Sequence, residues 1–296
     1  MSLYVLEQLI NGIILGSMYA LVAIGFTMIY GIIRLINFAH GDIVMIGAFV
    51  TLGLITAGVP FPVVVILVLG AGAFMGFAIE RLAFRPMRGA PQVTGFIASL
   101  AVSILLQNAG ILAFTPQPRN FFLPAYLQKI VRFGTLSIRA LDLSIIGISV
   151  LLMIVLVVVV KTTRMGMAMR ATAERLKAAR LMGININRII MITFMIGSSL
   201  AAIAGMMWGG KYGQIDPLLG FIPGFKAFVA AVIGGVGSIS GAMLGGYLLG
   251  VSEILFVGLL PPIYSAYRDA FVFGVLILIL LVKPSGFFGK GGEERA

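Results

Sequence analysis

Long apolar stretches without a charged residue recur from the start of the chain almost to its end. The clearest occupy residues 8–33, 43–79, 92–113, 143–160 and 189–210. A membrane-spanning helix needs about 20 such residues. Hydrophobicity within the stretches is continuous rather than alternating, which excludes the strands of a membrane barrel. Because backbone groups inside a bilayer must pair within the chain, the stretches predict transmembrane helices.

The pattern predicts an all-α fold, a polytopic helical membrane protein with about eight or nine transmembrane helices in one domain over residues 1–296. The predicted spans are 8–33, 40–59, 62–80, 92–114, 143–160, 189–209, 220–236, 241–259 and 269–282. The segment 220–259 is interrupted by four glycines, at Gly234, Gly235, Gly237 and Gly241. It therefore fits either one kinked crossing or two short helices.

Composition supports this interpretation, since 60% of the 296 residues are hydrophobic and only 10% are charged. A soluble domain of this size needs more charge at its surface. The formal net charge of +11 would suggest nucleic acid in a soluble protein, but here the bases cluster in short loops between apolar stretches. The positive-inside rule explains that clustering and predicts nine spans, with the N-terminus outside and the C-terminus inside.

The most basic loop, residues 161–188, carries seven bases and one acid and is expected in the cytoplasm. Its helix-forming residues predict one short amphipathic helix over 167–182. Such a helix fits either a lipid surface or a groove on a cytoplasmic partner. The residues expected to contact that partner are Arg170, Glu174, Arg175, Ala179, Arg180, Gly183 and Asn185, with Gly183 ending the helix.

Two spans begin with polar or glycine-rich backbone, at residues 34–42 and 220–241. Together they indicate inverted repeats over 8–114 and 189–282, with broken half-helices at corresponding places. In transporters such interruptions point to the substrate site. The start of a half-helix offers unpaired N–H groups to a carboxylate, so a pathway for a small anionic or zwitterionic solute is predicted.

Several polar or glycine positions within the spans are candidates for lining that pathway. They are Asn37, His40, Asp42, Gln107, Asn108, Gly234, Gly235, Ser238 and Glu253. Five of them also have a structural interpretation. His40 and Asp42 could cap a helix, and Gln107 and Asn108 could join helices by hydrogen bonds. Glu253, expected to be the only plainly buried acid, could pair with an arginine of a neighbouring subunit.

Catalytic and metal chemistry is not indicated. The chain has no G-x-x-x-x-G-K-[ST] loop, so we expect no ATP hydrolysis by this chain alone. With one histidine and no cysteine, neither a metal site nor another cofactor is expected. No acid–His pair is placed to activate a serine, which leaves an intramembrane hydrolase the weakest hypothesis.

Four motifs make the chain resemble the permeases of branched-chain amino acid ABC transporters, and specifically their smaller, H-type paralogue. They read INFAHGDIVMIGAF at 36–49, RATAERLKAARLMGIN at 170–185, FVAAVIGGVGSISGA at 228–242 and VKPSGFFG at 282–289. The resemblance implies a bacterial inner-membrane importer, in which two permeases form the pathway. Two cytoplasmic ATPases that consume ATP would drive it through residues 170–185, and a periplasmic binding protein would deliver Leu, Ile or Val.

Other transport functions stay open from the sequence. Relatives with the same motifs carry urea, short amides or other amino acids. A secondary transporter coupled to ions also uses inverted repeats, but it needs intramembrane acids to bind those ions, and only Glu253 is expected to be buried.

Overall fold

The computed structural model describes residues 2–134 and 136–289, which form eleven α-helices and four short strands. The helices are α1 (Ser2–Ile33), α2 (Ala39–Thr56), α3 (Phe61–Ile79), α4 (Gln92–Phe114), α5 (Ala140–Thr162), α6 (Arg164–Glu174), α7 (Leu176–Leu181), α8 (Ile186–Tyr212), α9 (Phe221–Gly234), α10 (Ile239–Leu259) and α11 (Arg268–Val282). The strands are β1 (Arg119–Asn120), β2 (Ile130–Phe133), β3 (Leu136–Arg139) and β4 (Gln214–Ile215). An all-α polytopic membrane protein is thereby confirmed.

Eight helices of the described chain are long and apolar enough to cross a membrane. They correspond to eight of the nine predicted spans. The ninth, predicted over 220–236, is the 14-residue helix α9, which at 1.5 Å per residue is about 21 Å long. Because a hydrocarbon core is about 30 Å thick, α9 covers only part of a crossing.

The segment 220–259 consists of two antiparallel helices rather than one kinked crossing. Gly235 and Gly237 have positive φ angles of 102° and 90° and form the turn between α9 and α10. Gly245 of α10 then lies directly against the carbonyl oxygen of Ala230 in α9. Glycine is needed at the turn because side chains with a Cβ rarely adopt those φ angles.

The core of the bundle is built around α1, which packs antiparallel to α10 along a ridge of small residues. A Cβ at Gly16 would lie 2.8 Å from the Cα of Tyr247, and one at Gly250 would lie 2.4 Å from the Cα of Gly16. Helices in lipid associate through such close packing, since there is no hydrophobic drive between them. The buried faces of α2 and α8 complete this core.

One end of the bundle collects most of the basic loops, and we call it the basic end. Arg88, after α3, donates to Asn187 at the start of α8. The turn at Gly237 lies beside Gly31, close to the end of α1. The C-terminal segment returns to the same place, where Phe288 N–H donates to the Gly234 carbonyl at 2.9 Å.

The loops containing Arg34, residues 81–88 and residues 161–188 therefore share one end, as the predicted topology requires. The boundaries of the proposed repeats stay a prediction.

The basic loop differs from its prediction in one respect. In place of one helix over 167–182, it forms the two helices α6 and α7, which are separated at Arg175 with φ −149° and ψ 104°. Gly183 does end α7, with φ +78°. Asn185 then caps α8, because its side-chain oxygen accepts from Arg188 N–H at 3.1 Å.

Candidate functional site

Helix α2 begins inside the bundle rather than at its end. Helix α1 stops at Arg34, which adopts a left-handed conformation with φ 53°, and the chain turns back before α2 starts at Ala39. His40 then lies against Gly25 of α1, eight residues before the last residue of that helix. At 1.5 Å per residue, this places the start of α2 about 12 Å from the end of α1.

The start of α9 meets the start of α2 within the bundle. A Cβ at Gly41 would lie 2.6 Å from the carbonyl oxygen of Gly220, and one at Gly224 would lie 2.4 Å from the Cα of Gly41. Only glycine permits backbones to approach this closely. Neither helix has a side-chain cap at its N-terminus. Two positive helix ends therefore come together at this contact.

A small cavity adjoins the contact between the two helix starts, and we call it the polar cavity. Its volume is about 40 Å³, room for about three water molecules. It is lined by Phe26 of α1, by Asn37, Phe38, Gly41 and Asp42 at the start of α2, by Leu100 and Ser103 of α4, and by Phe221, Gly224, Phe225 and Phe228 of α9. Polar groups thus concentrate at the start of α2, while α9 contributes apolar rings.

Asp42 and Gln107 are both candidates, and the structure joins them. The Gln107 side-chain amide donates to one carboxylate oxygen of Asp42 at 3.0 Å and to the Ser103 hydroxyl at 3.1 Å. The second carboxylate oxygen of Asp42 has no hydrogen-bond partner. Asn37, only 2% exposed, has no partner for either atom of its amide. The cavity therefore contains acceptors and a donor that the described chain does not satisfy.

His40 is buried beside the polar cavity and contacts α1. Its Nε2 donates to the carbonyl oxygen of Val22 at 3.2 Å, which bridges two helices. Its Nδ1 has no partner. The described contacts include no hydrogen bond between His40 and Asp42, and no side chain caps the start of α2.

Four other candidates lie away from the polar cavity. Asn108 is exposed and donates to the carbonyl of Ile104 in its own helix. Gly234, Gly235 and Ser238 form the α9–α10 turn at the basic end, where Ser238 caps α10 by accepting from Gly241 N–H. Their observed contacts are those of a helix turn and its caps.

The last candidate, Glu253, belongs to a charge cluster that the sequence interpretation missed. Lys226 Nζ lies 2.7 Å from Glu253 Oε1 and 2.7 Å from Asp269 Oδ1, and Arg268 Nε lies 3.1 Å from Glu253 Oε1. Tyr19 donates to Glu253 at 3.1 Å. We call Lys226, Glu253, Arg268 and Asp269 the charge cluster. Glu253 therefore pairs within its own chain.

The expectation that Glu253 would be the only plainly buried acid was wrong. Asp42, Glu80 and Asp142 are buried as well. Glu80 pairs with Arg88, and Asp142 pairs with Lys211 at 2.7 Å. Among the acids buried in the described part of the chain, Asp42 alone lacks an ion pair. That feature separates it from the others.

At the basic end, α7 presents apolar and basic side chains together. Leu181 is 88% exposed and Met182 is 82% exposed, and Lys177 and Arg180 are exposed beside them. Ala179 is buried. We call Leu176–Met182 the α7 surface. Exposed apolar side chains beside bases at the end of a bundle fit a site for another protein or for a lipid surface.

The other candidates for partner contact hold this surface in place or lie beside it. Arg170 donates to the Val160 carbonyl at the end of α5. Glu174 and Arg175 are exposed where α6 gives way to α7, and Gly183 and Asn185 connect α7 to α8. The α7 surface is thus linked at both ends to membrane-spanning helices.

Comparison with known proteins decides the family. Residues 8–280 match the family described as the permease component of branched-chain amino acid transport systems. The chain belongs to this family. It is 43% identical to the high-affinity branched-chain amino acid transport system permease LivH of Salmonella typhimurium, over 99% of this chain and 98% of that protein. It is 42% identical to the corresponding permease BraD of Pseudomonas aeruginosa, over 98% and 97%.

A more distant relative is the probable branched-chain amino acid permease LivH of Methanocaldococcus jannaschii, which is 29% identical over 94% of this chain and 91% of that protein. No solved structure matches the chain. The resemblance drawn from the four motifs is therefore confirmed, and it covers nearly the whole chain.

Proposed function

We propose that this chain is the transmembrane permease subunit of an ABC importer for branched-chain amino acids in the bacterial inner membrane. It forms the translocation pathway with a second, paralogous permease. Two cytoplasmic ATP-binding subunits supply the energy, so this chain is not itself an enzyme and binds no cofactor. A periplasmic binding protein delivers the substrate. Full-length similarity to the LivH and BraD permeases carries this proposal.

The polar cavity supports a pathway shared with a second permease. Phe221, which lines the cavity, is 59% exposed, so the cavity reaches the surface of the chain. Helices α4 and α9, which form its outer walls, expose further apolar side chains such as Ile97 and Ile222. A second permease seated there would enclose a route that one chain leaves open on one side.

The α7 surface supports docking of the ATP-binding subunits. It combines exposed apolar side chains with bases at the basic end, and α6 and α8 link it to the bundle. Movement of a motor against it would be passed to α5 and α8 as rigid-body motion.

A charge-reversal pair tests the docking role. We expect Arg180→Glu, on the α7 surface, to reduce recovery of the ATP-binding subunits in a detergent pull-down by at least about tenfold, the loss of roughly 1.4 kcal/mol of binding free energy. Arg132→Glu, on the β2–β3 hairpin at the opposite end, is the matched control. Membrane insertion should be normal in both variants. Unchanged recovery with Arg180→Glu would remove the docking role.

Transport by the reconstituted complex tests the substrate class. We expect ATP-dependent uptake of labelled leucine, isoleucine and valine and little uptake of urea or polar amino acids. Uptake of urea alone would overturn the amino-acid assignment. Uptake by this chain without any ATP-binding subunit would favour an ion-coupled carrier, for which Asp42 is the buried carboxylate without an ion pair.

A further inference from the structure

The polar cavity contains an unusual density of unsatisfied polar atoms. Both amide atoms of Asn37 and one carboxylate oxygen of Asp42 are buried without a hydrogen-bond partner, and both residues line the cavity. A buried polar group left unpaired destabilises the folded state. Most buried polar groups in native proteins are satisfied, so a cluster of exceptions requires an explanation. Occupation by a polar ligand during function provides one.

The charge in the cavity specifies part of that ligand. Asp42 is the buried acid of the described chain that no Lys or Arg side chain neutralises. Its neighbours Gln107 and Ser103 are neutral. A carboxylate in low dielectric favours a cationic partner strongly. An ammonium group on the ligand would supply both the missing charge and a donor for the free oxygen.

The opposite requirement comes from the two helix starts. The first turns of α2 and α9 meet at Gly41 and Gly224, and both contribute to the cavity wall. Asp42 already lies in the first turn of α2, whereas the first turn of α9 contains no acid, so the positive end of α9 favours an anionic group. The unpartnered Asn37 amide offers a further donor at the cavity. One ligand with an ammonium at Asp42 and a carboxylate at the helix starts would satisfy both requirements.

The rest of the cavity is aromatic or aliphatic. Its apolar lining consists of Phe26, Phe38, Leu100, Phe221, Phe225 and Phe228. Phe26 and Phe228 pack edge-to-face with ring centroids 5.3 Å apart. Such a wall favours an apolar side chain and, near the ring faces, an ammonium group.

We propose that Asp42, Asn37 and the starts of α2 and α9 form a subsite for a free α-amino acid with an apolar side chain. Asp42 holds the ammonium, Asn37 and the helix starts hold the carboxylate, and the phenyl rings contact the side chain. This inference rests on the proposed function and adds that the permease itself recognises the amino-acid head group. The site is narrow and must open to admit its ligand.

Photolabelling of the assembled transporter in nanodiscs tests the subsite. The probe is a leucine analogue with a diazirine in its side chain, used without the binding protein. We expect adducts on the peptides that line the cavity, covering residues 26–42, 100–103 and 221–228, and we expect excess leucine to prevent them. Losing a charge-assisted hydrogen bond, worth about 1.5–3 kcal/mol, should lower labelling of Asp42→Asn by about ten- to hundredfold. Asn108→Ala, on the exposed face of α4, is the control and should label normally.

Two measurements keep the test decisive if Asp42→Asn fails to fold. Leu100→Phe narrows the cavity from the α4 wall without removing a polar group, and it should also block labelling.

The second measurement is competition for labelling of the unmodified complex. Isoamylamine and 4-methylpentanoate each lack one charged group of leucine, and each should compete at least tenfold less well than leucine. Equal competition by either compound, or adducts outside these three peptides, would overturn the subsite. If the complex imports leucine but labels elsewhere, the proposed function survives and this inference fails. If it imports no amino acid, both fail.

Discussion

Two regions of this bundle bury acidic side chains, and they treat them in opposite ways. At the polar cavity, Asp42 has a neutral partner on one oxygen and none on the other. In the charge cluster, Glu253 contacts Lys226, Arg268 and Tyr19. Both acids are nearly inaccessible, at 2% and 1% exposure. Burial of an acid within a membrane span therefore does not by itself distinguish a binding group from a structural one.

The difference lies in charge compensation. Lys226 of α9 reaches Glu253 of α10 and Asp269 of α11, while Tyr19 reaches the same glutamate from α1. The cluster thus ties four helices together and balances two cations with two anions. Among the described residues, the polar cavity has no cation to balance Asp42, and the unpaired polar atoms of Asp42 and Asn37 lie at the cavity. We conclude that the charge cluster holds the bundle together and that the polar cavity is the place for a ligand.

Removing one member of the charge cluster should have the largest effect. Lys226→Met leaves Glu253 buried with a partly exposed arginine as its remaining cation. Breaking a buried ion pair in this way costs about 3–5 kcal/mol. We expect a correspondingly lower stability of the purified chain, measured by unfolding in a denaturing detergent titration.

The double variant Lys226→Met with Glu253→Gln provides the control for that prediction. It removes both charges and leaves Arg268 beside Asp269. Replacing both partners of a buried pair is often close to neutral, so most of the lost stability should return and leucine uptake should continue. A double variant that folds well but does not transport leucine would show that the charge cluster is needed for transport and not only for stability.

Separating the two helix starts should have the next largest effect. A Cβ at Gly224 would lie 2.4 Å from the Cα of Gly41, so Gly224→Val forces α2 and α9 apart. Overpacking of this kind costs about 1–3 kcal/mol. We expect that loss in unfolding measurements together with loss of photolabelling at the polar cavity. Gly53→Val, which has open space around its Cβ position, should change neither.

Much of the architecture could be predicted because it depends on properties that a linear sequence displays. Continuous apolar stretches located eight long helices, and the clustering of bases located one end of the bundle. Gly183 was recognised as a helix end because its lack of a Cβ allows the positive φ that it adopts. The break at Arg175 carries no such signal, and α6 and α7 were therefore predicted as one helix.

The site was harder to predict because it depends on contacts between distant residues. Gln107 and Asn108 are adjacent in sequence but lie about 100° apart around α4, since a helix has 3.6 residues per turn. Sequence alone could not show which of them faces Asp42. The cationic partners of Glu253, Lys226 and Arg268, lie on other helices, with Lys226 27 residues away along the chain. Its third partner, Tyr19, is 234 residues away. Lys226 did carry a signal. The rule that an ionisable residue within a membrane span is a functional candidate singled out Glu253, and it applies equally to Lys226.

The smallest and sharpest test compares those two neighbours on α4. Gln107→Leu removes the side-chain amide that donates to the Asp42 carboxylate at 3.0 Å. Leaving a buried acceptor unpaired costs about 1–3 kcal/mol. Asn108→Leu replaces an exposed side chain bonded only within its own helix, so its stability should stay within about 0.5 kcal/mol. Thermal unfolding in detergent measures both. Equal losses of stability in the two variants would show that other groups satisfy the Asp42 carboxylate. The polar cavity and the charge cluster could then no longer be distinguished by whether their buried acids are compensated.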